Sequence, residues 1–204
     1  MKILGMQNRF SFTEEEATII NRCDNPEKAQ AFLNELEYNY EDTAHSFRGV
    51  VRNKKANCLE GALAAASILS LHGYPPIILC MEARDMDHNI FVFRQEGRIG
   101  SVAKSRDDNL LGRLPKYWTH RQLVMSYYPY YYNLFTQDRN DLTLRGYALL
   151  NLGEFYQNWI TAEEDLLFIE KRLYEIRYRA LFPIDGKRFY YSPNESGSIV
   201  LSDI

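Results

Sequence analysis

The sequence predicts an α+β fold, and three observations lead to that expectation. Residues 58–72 are small and apolar on nearly every face, which is typical of a helix buried on most sides. Short segments of β-forming residues follow, separated by turn signals, as in an antiparallel meander. Capping signals on both sides of this region predict further helices.

Two capping signals begin the N-terminal part. Thr13 and Glu16 form a capping box, which predicts a short helix towards Asn21. Asn25 before Pro26 predicts the N-cap and first residue of a second helix. The apolar stripe of that helix extends to about residue 40, and the polar stretch 41–57, which includes a short basic run, is expected to be mainly loop.

The central part is a helix followed by strands. Asn57 is the predicted N-cap of the helix over 58–72, and Gly73 is its predicted left-handed stop. Strands are predicted over 77–81, 88–94 and 98–104. In the second of them, Phe91 and Phe93 face one side, whereas the residues at 88, 90 and 92 face the other.

The remaining chain predicts a loop, two helices and an irregular tail. Helix-forming residues run from about His120 to Tyr128, and Thr161 with Glu164 forms a second capping box before a helix that ends near Arg179. We therefore expect one domain over 1–204 with three parts: an N-terminal helical part over 13–52, a core helix and strands over 53–107, and a C-terminal helical extension over 108–204.

Composition and charge exclude several classes of protein. A globular composition (46% hydrophobic and 25% charged residues) excludes global disorder, and a net charge of −3 argues against a nucleic-acid partner. No apolar run approaches the roughly 20 residues of a membrane span. Residues 1–12 lack the apolar core of a signal peptide, and three dispersed cysteines cannot all pair, so we expect a cytoplasmic protein with reduced thiols.

The sequence carries no recognisable signal for a metal or a cofactor. The cysteines and histidines lack the paired spacing of a zinc site, and the chain has no phosphate-binding glycine loop or dinucleotide fingerprint. We therefore expect no metal and no cofactor.

The chemistry-bearing candidates are Cys58 and His88. A cysteine in the first turn of a helix lies near unpaired backbone N–H groups, which lower the pKa of the thiol and can stabilise an oxyanion. His88, at the start of a strand, is placed to accept the thiol proton. The alternative is that Cys58 is inert core filler, which is how we interpret Cys23 and Cys80.

Three stretches carry a resemblance to a known family: residues 57–62 (Asn-Cys-Leu-Glu-Gly-Ala), 71–76 (Leu-His-Gly-Tyr-Pro-Pro) and 87–90 (Asp-His-Asn-Ile). They resemble the transglutaminase-like superfamily, and the resemblance covers residues 50–107, with flanks that look more loosely like bacterial members. The resemblance implies a papain-like core, a central helix on an antiparallel sheet, with added N- and C-terminal helices. It also implies acyl transfer from a peptide, amide or ester, with Cys58 as nucleophile and His88 as base and then acid.

The third member of such a triad is an Asp at the end of the next strand. This sequence has Ala-Lys-Ser-Arg-Asp over 103–107 and no carboxylate at the corresponding point. Ser105 is the nearest residue, and its hydroxyl would orient the imidazole; Asp107 would have to reach back from the loop.

A tyrosine-rich segment over 127–132 leaves a second function open. It is interpreted either as an exposed patch that stacks on a ligand or as a partly buried group that packs a loop onto the core. If exposed, it supports the alternative of a catalytically silent transglutaminase-like binding or scaffold module.

Overall fold

The computed structural model describes residues 10–156 and 158–193, and its architecture is α+β. The helices are α1 Glu14–Arg22, α2 Pro26–Glu35, α3 Phe47–Asn53, α4 Cys58–Ser70, α5 His120–Met125 and α6 Leu167–Glu175. The strands are β1 Glu37–Tyr38, β2 Lys55–Ala56, β3 Ile77–Ala83, β4 His88–Gln95, β5 Arg98–Val102, β6 Arg113–Tyr117, β7 Leu144–Asn151, β8 Tyr178–Ala180 and β9 Tyr190–Tyr191.

A seven-stranded sheet in the order β6-β5-β4-β3-β7-β8-β9 forms the centre of the fold, and all its neighbouring strands are antiparallel. One face packs against α4 and the helices around it. The other face packs against α5 and the tyrosines that follow it. The expected alternation in β4 is confirmed, because Phe91 and Phe93 belong to the first core whereas Ile90 and Val92 belong to the second.

Local signals in the N-terminal half are largely confirmed. The capping box at Thr13, the Asn25 cap and the Asn57 cap all form, and Gly73 adopts a left-handed φ of +91° after α4. The expected end of α2 near residue 40 is wrong. Leu36 is already extended because the chain there enters β1, which pairs in parallel with β2.

The stretch 41–57 is not simply a loop, because it contains α3. The Ser46 side chain accepts a hydrogen bond from the Gly49 amide, and Phe47, Val50 and Val51 are buried on one face of this helix. The cap and the i, i+3, i+4 spacing were present in the sequence, but a helix of seven residues gives a weak periodic signal.

The segment 108–204 was expected to be a helical extension, and this is wrong for its described part. It contributes the four strands β6, β7, β8 and β9, and β7 pairs with β3 in the middle of the sheet. The second capping box is also absent: α6 begins at Leu167, and the Thr161 hydroxyl accepts a hydrogen bond from Asn158 Nδ2 at 2.8 Å instead. The end of the expected tail, after residue 193, lies outside the described residues.

Candidate functional site

The candidate site begins at the first residue of α4. Asn57 caps this helix by accepting a hydrogen bond from the Glu60 amide at 3.0 Å, and the Glu60 carboxylate accepts one from the Asn57 amide at 2.8 Å. Cys58 is the next residue after the cap, so its side chain starts the helix as the sequence predicts. The reciprocal bonds of this capping box hold the backbone at Cys58 in one conformation.

Glu60 extends this anchoring into the neighbouring loop. Its side chain is fully buried, with 0% exposure, and its carboxylate also accepts hydrogen bonds from the Asn39 and Thr43 side chains and the His45 amide. The His45 ring nitrogen Nδ1 lies 2.6 Å from the same carboxylate. A buried carboxylate is tolerated only when it is paired in this way, so Glu60 supports the start of α4. Sequence reasoning had not assigned it this role.

The Cys58 thiol is partly buried between the start of α4 and the start of β4. Its sulfur hydrogen-bonds the Asp87 carbonyl oxygen at 4.0 Å, and the backbone and side-chain amides of Asn89 lie close enough to influence it. Burial raises the pKa of the Cys58 thiol above its ordinary value, and the nearby amides of Asn89 offset only part of that effect. At neutral pH the group is therefore a thiol, because burial outweighs the helix terminus.

The His88 imidazole is buried and makes one main-chain hydrogen bond. Its Nε2 lies 2.8 Å from the carbonyl oxygen of Leu110. A carbonyl oxygen only accepts, so Nε2 carries the proton and Nδ1 is the basic nitrogen of the ring. Burial lowers the pKa of His88 to about 4, so the ring is neutral at pH 7.

Cys58 and His88 line the same cavity, which has a volume of about 50 Å³. They approach it from different sides. The His88 ring packs edge-on against Tyr127 in the second core, with ring centroids 6.2 Å apart, whereas Asn89 is the β4 residue beside the thiol. In the described part of the chain no hydrogen bond joins the thiol to the imidazole, and each group bonds a main-chain carbonyl instead.

Ser105 and Asp107 line this cavity too, but their hydrogen bonds are to each other and to the adjoining loop. The Ser105 hydroxyl accepts from the Asp107 amide at 3.0 Å, and the Asp107 carboxylate accepts from the Asn109 amide at 2.9 Å. The acceptor that holds the His88 ring is the Leu110 carbonyl. A main-chain carbonyl has no signature in the sequence, so reasoning from residue types missed it.

Of the five tyrosines in the tyrosine-rich segment, two are buried, two are half-buried and one is exposed. Tyr127 and Tyr131 are 0% and 5% exposed and belong to the second core, and Tyr130, at 41%, is the exposed member. The interpretation as an aromatic group that packs a loop onto the core is supported, and a broad exposed patch is not. The segment still contributes to the site, because Tyr130, Tyr131 and Tyr132 line the Cys58 cavity.

Other site types find little support in the described residues. No three His, Cys, Asp or Glu side chains within 10–156 and 158–193 are grouped as metal ligands would be. Among the helices described, none combines the length and apolar character needed to cross a membrane. All three cysteines are free thiols, and Cys23 and Cys80 are buried, as expected for core filler.

Comparison of the chain with protein-family models, and separately with curated proteins, found no match.

Proposed function

We propose that this chain is a cysteine-dependent acyl-transfer enzyme with a transglutaminase-like, papain-like core, acting on a peptide, amide or ester bond. The observation that supports this function is the shared cavity of Cys58 and His88, in which the imidazole is held by the Leu110 carbonyl with Nδ1 as its basic nitrogen. The order of elements, a helix starting at the cysteine and then antiparallel strands, is in keeping with such a core. We also propose a cytoplasmic location, with which three free thiols are compatible.

The proposed reaction starts from a neutral thiol and a neutral imidazole. The Cys58 sulfur attacks the substrate carbonyl carbon while His88 Nδ1 takes the thiol proton. The bond to the leaving amine or alcohol then breaks, the leaving group receives that proton, and a thioester remains on Cys58. Water attacks the thioester with His88 as base, which releases the acid and restores the thiol.

Proton transfer requires a change from the observed arrangement. Since the thiol and imidazole are not hydrogen-bonded to each other, the thiol has to rotate away from the Asp87 carbonyl or transfer its proton through one water in the cavity. In structures without substrate, the hydrogen bonds between catalytic groups are often long or poorly aligned, and they shorten when substrate binds. Bound substrate would therefore complete the pair.

The oxyanion of the tetrahedral intermediate would form beside the start of α4. The amide of Cys58 belongs to the first turn, where backbone N–H groups lack an intrahelical acceptor. The Asn89 side-chain amide, which lies near the thiol, would supply a second donor. Each such donor typically contributes about 3 kcal/mol to transition-state stabilisation.

The test is hydrolysis of a panel of p-nitroanilides and p-nitrophenyl esters, with intact-protein mass spectrometry to detect the acyl-enzyme. We expect turnover and an acyl adduct on Cys58, both abolished by Cys58→Ser. Cys23→Ser is the matched control, because that thiol is buried away from the cavity, and it should retain activity. Turnover that survives in Cys58→Ser would contradict the proposal.

A catalytically silent binding module is the second candidate. The observation that favours it is the raised pKa of the Cys58 thiol, since an activated nucleophile usually has a lowered one. Rates of Cys58 alkylation by iodoacetamide between pH 5 and 9 discriminate the two. If His88 assists the thiol, alkylation should be measurable below pH 7 and should slow in His88→Gln. If the protein is a silent module, alkylation should be equally slow in the original chain and in His88→Gln.

A further inference from the structure

Unsatisfied polar groups are concentrated around Cys58. Three buried side-chain oxygens in the described part of the chain have no hydrogen-bond partner: Asp85 Oδ1, Asn89 Oδ1 and the Tyr131 hydroxyl. Asp85 and Tyr131 line the Cys58 cavity, and Asn89 adjoins the thiol. Leaving a buried polar group without a partner costs desolvation free energy that nothing repays, so three such groups at one place call for a functional explanation.

The chemistry of these atoms specifies what would satisfy them. Two are acceptors only, one of them on a carboxylate, and the third is a hydroxyl that can accept as well as donate. Asp85 uses its other oxygen to accept from the Leu134 amide at 3.0 Å, which fixes the carboxylate in place. The matching ligand is a group with several N–H donors and a positive charge.

The charge of the site points the same way. Asp85, Asp87 and Asp107 line the cavity, and Arg106 is the lining residue with a permanent positive charge. Arg106 is exposed at the rim, where its guanidinium contacts the Met86 sulfur at 3.3 Å. Burial, and to a smaller extent repulsion from Glu82 and Asp85, raises the pKa of Asp87 to about 6, although the Ala83 amide and the charge of Arg145 act to lower it.

The size of the cavity selects among cations. A volume of about 50 Å³ exceeds that of one water but is small for a planar guanidinium with its hydration. A primary ammonium group is compact and has three donors. Resting on the proposed function, we propose that the acyl substrate carries a free ammonium group next to its reacting carbonyl and that Asp85 and Tyr131 bind it.

The ammonium belongs to the acyl donor and not to an attacking amine. A carboxylate beside an amine favours its protonated form, and a protonated amine has no lone pair with which to attack a thioester. The group bound at Asp85 therefore serves recognition, and water resolves the thioester. The substrate class is an amide or ester of an α-amino acid or of a peptide's N-terminal residue.

The first experiment measures charge selectivity at Cys58 without catalysis. The protein is treated with 2-aminoethyl or 2-sulfonatoethyl methanethiosulfonate, each of which forms a disulfide with Cys58 and releases methanesulfinate. Peptide mapping gives the two rates, and their ratio is divided by the ratio for a small free thiol. We expect the cation to be favoured at least tenfold, and Asp85→Asn to reduce that preference to less than threefold.

Three variants make the result specific. Asp85→Asn retains an oxygen for the Leu134 amide, and Asp108→Asn removes an equal charge from an exposed residue outside the cavity, so it should leave the ratio within twofold of the original. Tyr131→Phe should lower the cation preference by a smaller factor than Asp85→Asn. The inference would be overturned if Cys58 of the unmodified chain showed no corrected preference between the two reagents, or reacted with neither of them.

The second experiment compares alanine p-nitroanilide with N-acetylalanine p-nitroanilide. We expect kcat/KM at least tenfold higher for the free amine, and a loss of that difference in Asp85→Asn. Equal hydrolysis of both compounds overturns the ammonium site and leaves the proposed function standing. Hydrolysis of neither, with cation preference at Cys58 intact, sinks the proposed function and leaves the ammonium site standing.

Discussion

The start of α4 and the start of β4 meet at one cavity, yet they are built in opposite ways. At the start of α4, the buried Glu60 carboxylate accepts several hydrogen bonds. The donors are in three segments of the chain: Asn39, the loop with Thr43 and His45, and Asn57. At the start of β4, Asp85, Asn89 and nearby Tyr131 each retain an unpaired oxygen. The polar groups of the first region stabilise the fold, whereas the unpaired polar groups of the second region do not.

This contrast bears on how each region tolerates change. Where polar groups are satisfied, removing one leaves its partners buried and unpaired, which destabilises the fold. Where a polar group is unpaired, removing it relieves a desolvation cost. Substitutions in the two regions should therefore shift the free energy of unfolding in opposite directions.

The largest effect is expected at Glu60. Glu60→Ala removes the acceptor of the Asn57 amide and of the Asn39, Thr43 and His45 groups at once. Breaking a buried polar network by removing one member costs about 3–5 kcal/mol, so we expect a loss of that size in the free energy of unfolding, measured by urea denaturation.

The control for Glu60 is Glu41→Ala, which removes a carboxylate paired with Lys55 at the surface. An exposed ion pair contributes little to stability because water screens it, so this variant should unfold close to the original midpoint. Equal losses in the two variants would show that the buried network does not anchor α4.

The second expected effect concerns pH, and it involves neighbouring residues with opposite shifts. Burial lowers the pKa of His88 from 6.5 to about 4 and raises the pKa of Asp87 from 3.8 to about 6. The stability that His88 contributes is complete above pH 6.5 and is lost as the pH falls through 4, because the unfolded chain then binds the proton that the folded chain excludes. The contribution of Asp87 is complete below pH 3.8 and is lost as the pH rises through 6.

These two contributions offset each other in the unmodified chain, and single variants separate them. In Asp87→Asn, the His88 shift is no longer offset. It should lower the free energy of unfolding by about 3 kcal/mol as the pH falls from 6.5 to 4. In His88→Gln, the remaining Asp87 shift should make stability fall as the pH rises over the same range. Denaturation at pH 4, 5 and 6.5 measures both slopes, and parallel slopes in the two variants would contradict the assignment.

How far the sequence predicts this molecule depends on the range of the interactions. The caps at Thr13, Asn25 and Asn57 and the strand that starts at His88 were predicted, because each depends on residues close together in the chain. Strand β7 was missed. Its place beside β3 follows from pairing between residues about seventy positions apart, which has no local signal.

The candidate site divides in the same way. Cys58 and His88 were singled out from residue type and position, and both line the cavity. The alternation of β4 turns the His88 ring towards Tyr127. The hydrogen-bond partner of that ring is the carbonyl of Leu110, which residue types do not reveal. The burial that raises the pKa of Cys58 arises from tertiary packing, so the helix terminus alone gave the wrong direction.

The smallest predicted effect compares two buried tyrosines of one segment. The Tyr127 hydroxyl hydrogen-bonds the Ser101 hydroxyl at 2.7 Å and donates to the Leu111 carbonyl at 3.1 Å, whereas the Tyr131 hydroxyl has no partner in the described part of the chain. Tyr127→Phe should lower the free energy of unfolding by about 1–2 kcal/mol. Tyr131→Phe should raise it by about 1 kcal/mol, because the same atom is removed without breaking a bond.

Thermal and urea denaturation of both variants at pH 7 test the sign of this pair. Each substitution deletes one oxygen from a ring that is almost wholly buried in the same core, so packing and helix propensity are matched and the difference reports hydrogen bonding. Destabilisation of both variants to the same extent would mean that Tyr131 is paired in solution. A gain in stability at Tyr131, together with a weaker cation preference at Cys58, would show that the chain gives up stability there for binding.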